Sequence, residues 1–245
     1  MEEIEEIQAR ILAKVQLHEE NTPVSEPLSK SDLLGLYERI RDNFVIGDVI
    51  AERPEVMLLE KLIFCGVPKK YLFADKLPAS LKIQTDGFDV GKGYYIWGGV
   101  GTGKTYFICA LVRSYLLKLQ EKRRLHLTLR LPKIAGVPEI LMSIKDSYKD
   151  GSTISEQEII RRCSDYPCLI LDDLGVEKPS EWVMQTLYAI IDNRYKDDKQ
   201  TLFTSNLSLD RIQERIGDRI PSRIAEMCDI VQIKGSDRRL AGVKG

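Results

Sequence analysis

The sequence has little histidine, no paired cysteines, no surplus of either charge and no long apolar run, and each lack removes a class of function. Only His18 and His126 accompany five scattered cysteines, Cys65, Cys109, Cys163, Cys168 and Cys228, and no Cys-x-x-Cys pair occurs among them. Zinc modules draw on closely spaced cysteine and histidine ligands, so none is expected. An odd cysteine count in apolar contexts such as Ile108-Cys109-Ala110 suits buried thiols in a reducing compartment rather than a disulfide framework. Lys and Arg number 36 against 37 Asp and Glu. No global field therefore draws the protein to nucleic acid or membranes, and any DNA contact must come from a local patch. The opening Met1-Glu2-Glu3 is acidic, lacks an apolar h-region, and no later run approaches the roughly 20 apolar residues that span a bilayer. A soluble, cytoplasmic protein without membrane contact is expected.

What is present suffices for one α/β core and a small appendage: 245 residues, 43% of them hydrophobic. In the first twenty residues Ile4, Ile7, Ile11 and Val15 recur at helical spacing among acidic neighbours, which predicts a helix with a narrow apolar stripe. That stripe suits packing on the body and docking on a partner equally. Residues 21–30 contain Pro23, Pro27, Ser25 and Ser29 and read as an extended linker. Helical patterns follow over 32–43 and 54–64, the second opened by Pro54 and closed by Gly66 and Pro68. Residues 1–65 thus form a small helical, partner-binding region, with residues 66–245 the main domain.

From Tyr94 onward short β-rich runs alternate with longer helical stretches, the pattern of βαβ units around a parallel sheet. Strands are expected over 94–97, 125–131, 169–171, 201–204 and 230–233. The helices between them should span 105–120, 138–148, 155–163, 181–195 and a pair within 209–227. The fold expected is a three-layer P-loop NTPase sandwich with a parallel five-stranded sheet.

The chemistry centres on Gly98-Gly99-Val100-Gly101-Thr102-Gly103-Lys104-Thr105, which fits G-x-x-x-x-G-K-[ST] between a strand and a long helix. Such glycines let successive backbone N–H groups turn around phosphate oxygens while the helix N-terminus adds its positive end. Lys104 is expected on the β- and γ-phosphates of ATP, and the Thr105 hydroxyl on magnesium. The second element is Cys168-Leu169-Ile170-Leu171-Asp172-Asp173-Leu174, an apolar strand ending in two carboxylates. Side by side these repel unless a cation or positioned water takes up the field. Asp172 fits the acid that holds magnesium and Asp173 the acid that polarises the attacking water. A third strand ends in Ser205-Asn206, where Asn206 offers a donor and an acceptor at the carboxyl edge of the sheet. An asparagine opening a turn is equally ordinary.

Taken in order, Gly98 to Thr105, Leu169-Ile170-Leu171-Asp172-Asp173-Leu174-Gly175, Asp192-Asn193-Arg194-Tyr195 and Thr204-Ser205-Asn206-Leu207 resemble the DnaC/DnaI-type helicase loaders and their relative, the transposition helper IstB, both AAA+ ATPases. The resemblance runs from about Gly66 to Arg239 and takes in Gly217-Asp218-Arg219-Ile220-Pro221-Ser222-Arg223-Ile224 and Gly235-Ser236-Asp237-Arg238-Arg239. It implies that Asn206 is sensor 1, that Arg223 is an arginine finger offered to a neighbouring subunit's ATP, and that Arg239 is the late arginine of the loader pattern G-x-D-x-R. With the sequence running only to Gly245, it also implies an AAA+ core without a helical lid. DnaI-type loaders carry an N-terminal zinc module that the cysteines here do not match, so details of helicase docking do not carry over.

Arg211, Arg215 and Arg219 fall four apart with Glu214 and Asp218 between them, the pattern of a solvated helix face, and that reading is preferred for Arg211 and Arg215. A single-stranded DNA path could draw on Lys133, Lys145, Lys149, Arg161 and Arg162, with Tyr148 the one aromatic beside them. The implied function is an ATP-switched loader that self-associates and binds single-stranded DNA and a ring helicase. An IstB-like transposase helper shares the same motifs. A small-molecule kinase would share the phosphate loop, but the acid pair, Asn206 and Arg223 together suit hydrolysis across a subunit interface.

Overall fold

The computed structural model describes residues 27–42, 53–75, 92–122, 131–176 and 178–237. The expected acidic helix over residues 1–20, most of the linker and Arg239 lie outside the described residues.

The chain enters through α1 (Lys30–Arg41), which starts where Ser29 and Asp32 cap each other: the Asp32 N–H donates to the Ser29 hydroxyl and the Ser29 N–H to the Asp32 carboxylate. α2 (Pro54–Phe64) opens on a proline that needs no hydrogen-bond acceptor there and stops at Gly66, whose φ of 82° belongs to the left-handed region. A short 3₁₀ turn (Lys69–Tyr71) follows. The α/β body then runs β1 (Gly93–Trp97), α3 (Lys104–Glu121), β2 (Pro132–Gly136), α4 (Val137–Asp146), α5 (Glu156–Asp165), β3 (Cys168–Leu174), α6 (Glu181–Lys196), β4 (Gln200–Ser205), α7 (Leu209–Ile216), α8 (Arg219–Met227) and β5 (Cys228–Gln232). Serine side chains at 155, 180 and 208 cap α5, α6 and α7.

The five strands are parallel and ordered β2-β3-β4-β1-β5. Alternation along the strands separates the two faces. Ile96, Ile134, Ile170 and Leu202 pack with α1, α2 and α3, while Tyr95, Leu169, Leu171 and Phe203 pack with α4 to α8. The result is the expected three-layer α/β sandwich. α2 is tied to the sheet edge as well, for the Ile134 N–H donates to the Cys65 carbonyl at 2.8 Å and Lys133 Nζ to the Phe64 carbonyl at 2.7 Å.

The second strand lies later than its composition suggested. The apolar run 125–131 falls outside the described residues except for Leu131, and it is Pro132–Gly136 that pairs with Cys168–Asp172. A strand that begins on proline is tolerated because β2 is an edge strand, where that residue has no ladder bond to give up.

The Asp192-Asn193-Arg194-Tyr195 motif places a fully buried arginine below the sheet. Arg194 donates to the carbonyls of Cys163, Ser164, Tyr166 and Gln200 and to the Thr201 hydroxyl. The side chain thereby ties the end of α5 to the start of β4. Burial pulls its pKa down to about 10, and the surrounding oxygens keep the cation affordable there.

Candidate functional site

The strands deliver their carboxyl ends to one edge, and the sequence motifs meet there. β1 ends at Trp97 and runs straight into the glycine loop, with the Gly98 N–H donating to the Ser205 carbonyl at 3.1 Å. Two of the loop's glycines are shaped by a neighbouring segment. A β-carbon on Gly98 would stand 2.2 Å from the Ile233 carbonyl oxygen, and one on Gly101, at φ 72°, 1.7 Å from Asp237 Oδ1. Gly103, at φ 95°, caps α3 without a side chain, so the positive end of that helix opens on the loop.

Lys104 is the first residue of α3 and is buried. Its ammonium donates to the carbonyls of Gly98 and Gly99, both at 2.9 Å, and to Asn206 Oδ1 at 2.6 Å. These neutral oxygens hold the charge over the loop. Asn206 was open to an ordinary turn role in the sequence, and its amide instead spans the distance from β4 to the loop lysine.

Asp172 and Asp173 lie near the carboxyl end of β3. Asp172 sits at 9% exposure between two hydroxyls: Thr105 Oγ1 donates to its Oδ2 at 3.1 Å and Thr204 to its Oδ1. Burial pushes the Asp172 carboxyl up, and the neighbouring Asp173 charge adds to this, while the two hydroxyls and Lys104 work the other way. Asp173 has a left-handed backbone, φ 61°, and its N–H donates to Thr204 Oγ1 at 2.9 Å. A hard hydroxyl oxygen beside a buried carboxylate fits the oxygen-only preference of magnesium. Thr105 and Asp172 would hold the ion, and its chemistry there is neutralisation of phosphate charge.

Arg223 stands apart from this group. It lies on α8, where its Nε donates to Asp192 Oδ1 at 3.2 Å and its guanidinium stacks 4.2 Å from the centre of the Tyr195 ring. Its side chain keeps 31% exposure. Arg219, one turn earlier, lies 6.0 Å over the Tyr188 ring.

Comparison with known proteins decides the family. Residues 92–243 match the family described as IstB-like ATP binding protein. The chain belongs to this family. Among curated relatives of this IstB-like protein, the replicative helicase loader DnaI of Bacillus subtilis is 27% identical over 162 residues, 61% of this chain and 48% of the relative. The replicative helicase loader DnaC of Escherichia coli is 25% identical over 138 residues, 56% and 52% respectively. The chain thus spans about half the length of the curated relatives it matches. A crystal structure of the DnaC helicase loader superposes with a TM-score of 0.53 at 23% identity, covering 68% of this chain and all of that one. That of DnaI gives 0.52 at 22% identity, covering 71% and 94%. Both share this α/β fold.

Sequence reasoning missed two residues of the IstB-like site. Thr204 was quoted only as strand and as part of a motif, although a threonine just before Ser205-Asn206 puts a hydroxyl at the level of the acid pair. Asp237 was quoted only as part of a motif, and no local signal tells that it folds back onto Gly101. Arg215, read as solvated, donates to the Gly175 carbonyl at 2.8 Å, just past the acid pair. The basic residues around α4 and α5 are engaged locally: Glu158 pairs with both Arg161 and Arg162, Asp146 with Lys149, and Lys145 lies 5.5 Å over the Trp182 ring.

Proposed function

We propose that the chain is an ATPase that binds ATP with magnesium at Gly98 to Thr105 and Asp172, and that it serves as a loader of a replicative ring helicase. The observation that carries the ATPase part is the convergence of Lys104, Thr105, Asp172, Asp173 and Asn206, drawn from three separate motifs, at one sheet edge. In this reading the loop amides and Lys104 bind and orient the polyphosphate. Asp173 takes the proton of the attacking water, and Asn206, released from Lys104, holds that water against the γ-phosphate. Arg223 is supplied by the next copy in a self-associated assembly, and Arg239 is a further nucleotide-binding residue.

The loader role is supported by similarity to DnaI and DnaC. Residues 66–245 form the ATPase unit, and 1–65 the partner-binding region, of which α1 and α2 sit on the flank of α3. Single-stranded DNA would lie along α4 and the start of α6, where Lys145 stands over the Trp182 ring and Tyr148 lies beside it, Trp182 Nε1 donating to the Tyr148 hydroxyl at 3.2 Å and both rings to Glu156. The family match favours one alternative, an IstB-like helper of a DNA transposase. The deciding experiment incubates the full chain, and a chain lacking residues 1–20, with a ring helicase and circular single-stranded DNA. The loader reading expects ATP-dependent transfer of helicase onto the circle by the full chain and loss of capture by the truncated one. ATP turnover without transfer, together with capture of a transposase, selects the alternative.

A further inference from the structure

The break between β3 and β4 gives Thr204 a task that none of the site motifs assigns to it. The two strands pair in register from Cys168↔Gln200 to Leu171↔Phe203 and resume only at Leu174↔Ser205. Asp172 and Asp173 therefore lie in the shifted stretch, where the regular ladder gives way. The Thr204 hydroxyl, fully buried, takes its place: it accepts the Asp173 N–H at 2.9 Å and donates to Asp172 Oδ1. A hydroxyl has one proton to give. With the Asp173 N–H on its lone pair, that proton goes to Asp172, so one oxygen atom touches both acids and sets them in different ways. Asp172 is left clamped between Thr204 on β4 and Thr105 on α3. Asp173 is held at φ 61°, a backbone conformation that an aspartate keeps only where its surroundings fix it.

We propose that Thr204 is the positioning residue of the acid pair: its hydroxyl orients the Asp172 carboxylate for magnesium and holds Asp173 turned out of β3, so that the two acids can do different work. The proposal rests on the reading of this site as a magnesium-dependent ATPase. It separates the two functions of β4, with Asn206 reaching the phosphate loop and Thr204 fixing the acids two residues earlier.

The test compares Thr204→Val, which keeps the branched shape and removes the hydroxyl, with Thr204→Ser, which keeps the hydroxyl. A fluorescent ATP analogue is titrated onto the full chain in EDTA and then with increasing Mg2+, and turnover is followed separately. Thr204→Val should bind the analogue in EDTA within about twofold of wild type, while its Mg2+ response and its turnover weaken by about 10–100-fold, as for loss of a group that orients a metal ligand. Thr204→Ser should recover both to within a few fold. If Thr204→Val does not fold, judged by its melting curve, Thr204→Ala lacks the same hydroxyl and is read for the same loss.

A Thr204→Val or Thr204→Ala protein with wild-type Mg2+ response overturns the proposal while leaving the ATPase reading intact. So does a natively melting Thr204→Ser that loses as much as Thr204→Val. If wild type itself binds the analogue with no Mg2+ response, the ATPase reading and the proposal fall together. A Mg2+ response lost with the hydroxyl, in a protein that shows no turnover, sustains the proposal and sinks only the hydrolysis reading.

Discussion

The Asp237 carboxylate lies against the α-carbon of Gly101, in space that any side chain on Gly101 would fill. The segment after β5 thus backs the phosphate loop, with the Ile233 N–H donating to the Trp97 carbonyl at 2.7 Å and the Ile233 carbonyl closing on Gly98. Gly101→Ala meets both the clash with Asp237 and the strain of φ 72°. The combined strain of about 1–3 kcal/mol should weaken nucleotide binding by roughly 10–100-fold in a fluorescent-nucleotide titration. Adding Asp237→Gly should relieve the clash and leave the backbone strain. If the double variant binds no better than Gly101→Ala alone, the contact with Asp237 does not shape the loop.

Lys104 and Asp173 should fail differently. Lys104→Ala removes the ammonium that the carbonyls of Gly98 and Gly99 and the Asn206 amide hold over the loop, and nucleotide binding should be lost. Asp173→Asn suits the left-handed backbone at that position and keeps the N–H to Thr204. It should bind ATP normally and lose about 10²–10⁴-fold in turnover, the size of a missing general base. Equal losses of binding in the two variants would contradict these roles.

Arg223 is tested by mixing. Its pairing with Asp192 and stacking on Tyr195 are partly exposed, so Arg223→Ala should leave the melting curve close to wild type. It should keep nucleotide binding and lose about 10³–10⁵-fold in turnover, as for an arginine supplied to a neighbour's phosphate. Lys104→Ala should be inactive alone. Mixed together, the two variants form interfaces with one intact loop and one intact arginine, and hydrolysis should partly return. If mixing restores nothing while both still assemble, Arg219 is the next residue to test.

The five cysteines predict an alkaline weakness. All are free and buried, and burial pushes the Cys65, Cys109 and Cys168 thiols up to about 12. A thiol whose pKa is higher in the folded than in the unfolded chain adds stability that is complete below the unfolded value near 9 and is lost as pH rises toward 12. Each such thiol should contribute a slope of about 1.4 kcal/mol per pH unit in that window. Denaturant melts between pH 8 and 11 should show the decline, and Cys168→Ala should flatten it by up to one proton. An unchanged slope would mean that Cys168 ionises alike in both states.

Much of this protein was legible from local pattern. The glycine loop, the acid pair and the helices over 54–64 and 181–196 announce themselves because a proline, a serine cap, a glycine or an apolar run acts within a few residues of where it stands. The buried thiol of Cys109 follows from its apolar neighbours Ile108 and Ala110. The second strand was misplaced because an edge strand starting on Pro132 has neither the composition nor the alternation of a buried one.

What the sequence by itself determined is the inventory: a phosphate loop, two acids on an apolar strand, an asparagine after a third strand, and the order in which they occur. Only the tertiary structure decided which of them touch. Lys104 meets Asn206 across 102 residues of chain, and Thr204 joins Asp172 across 32, because β4 inserts beside both β1 and β3 in the sheet. Strand order sets those contacts, and it depends on how all the helices pack on the two faces at once. No short stretch of sequence carries that information, so the hydroxyl that links the two acids became visible only when the sheet was assembled.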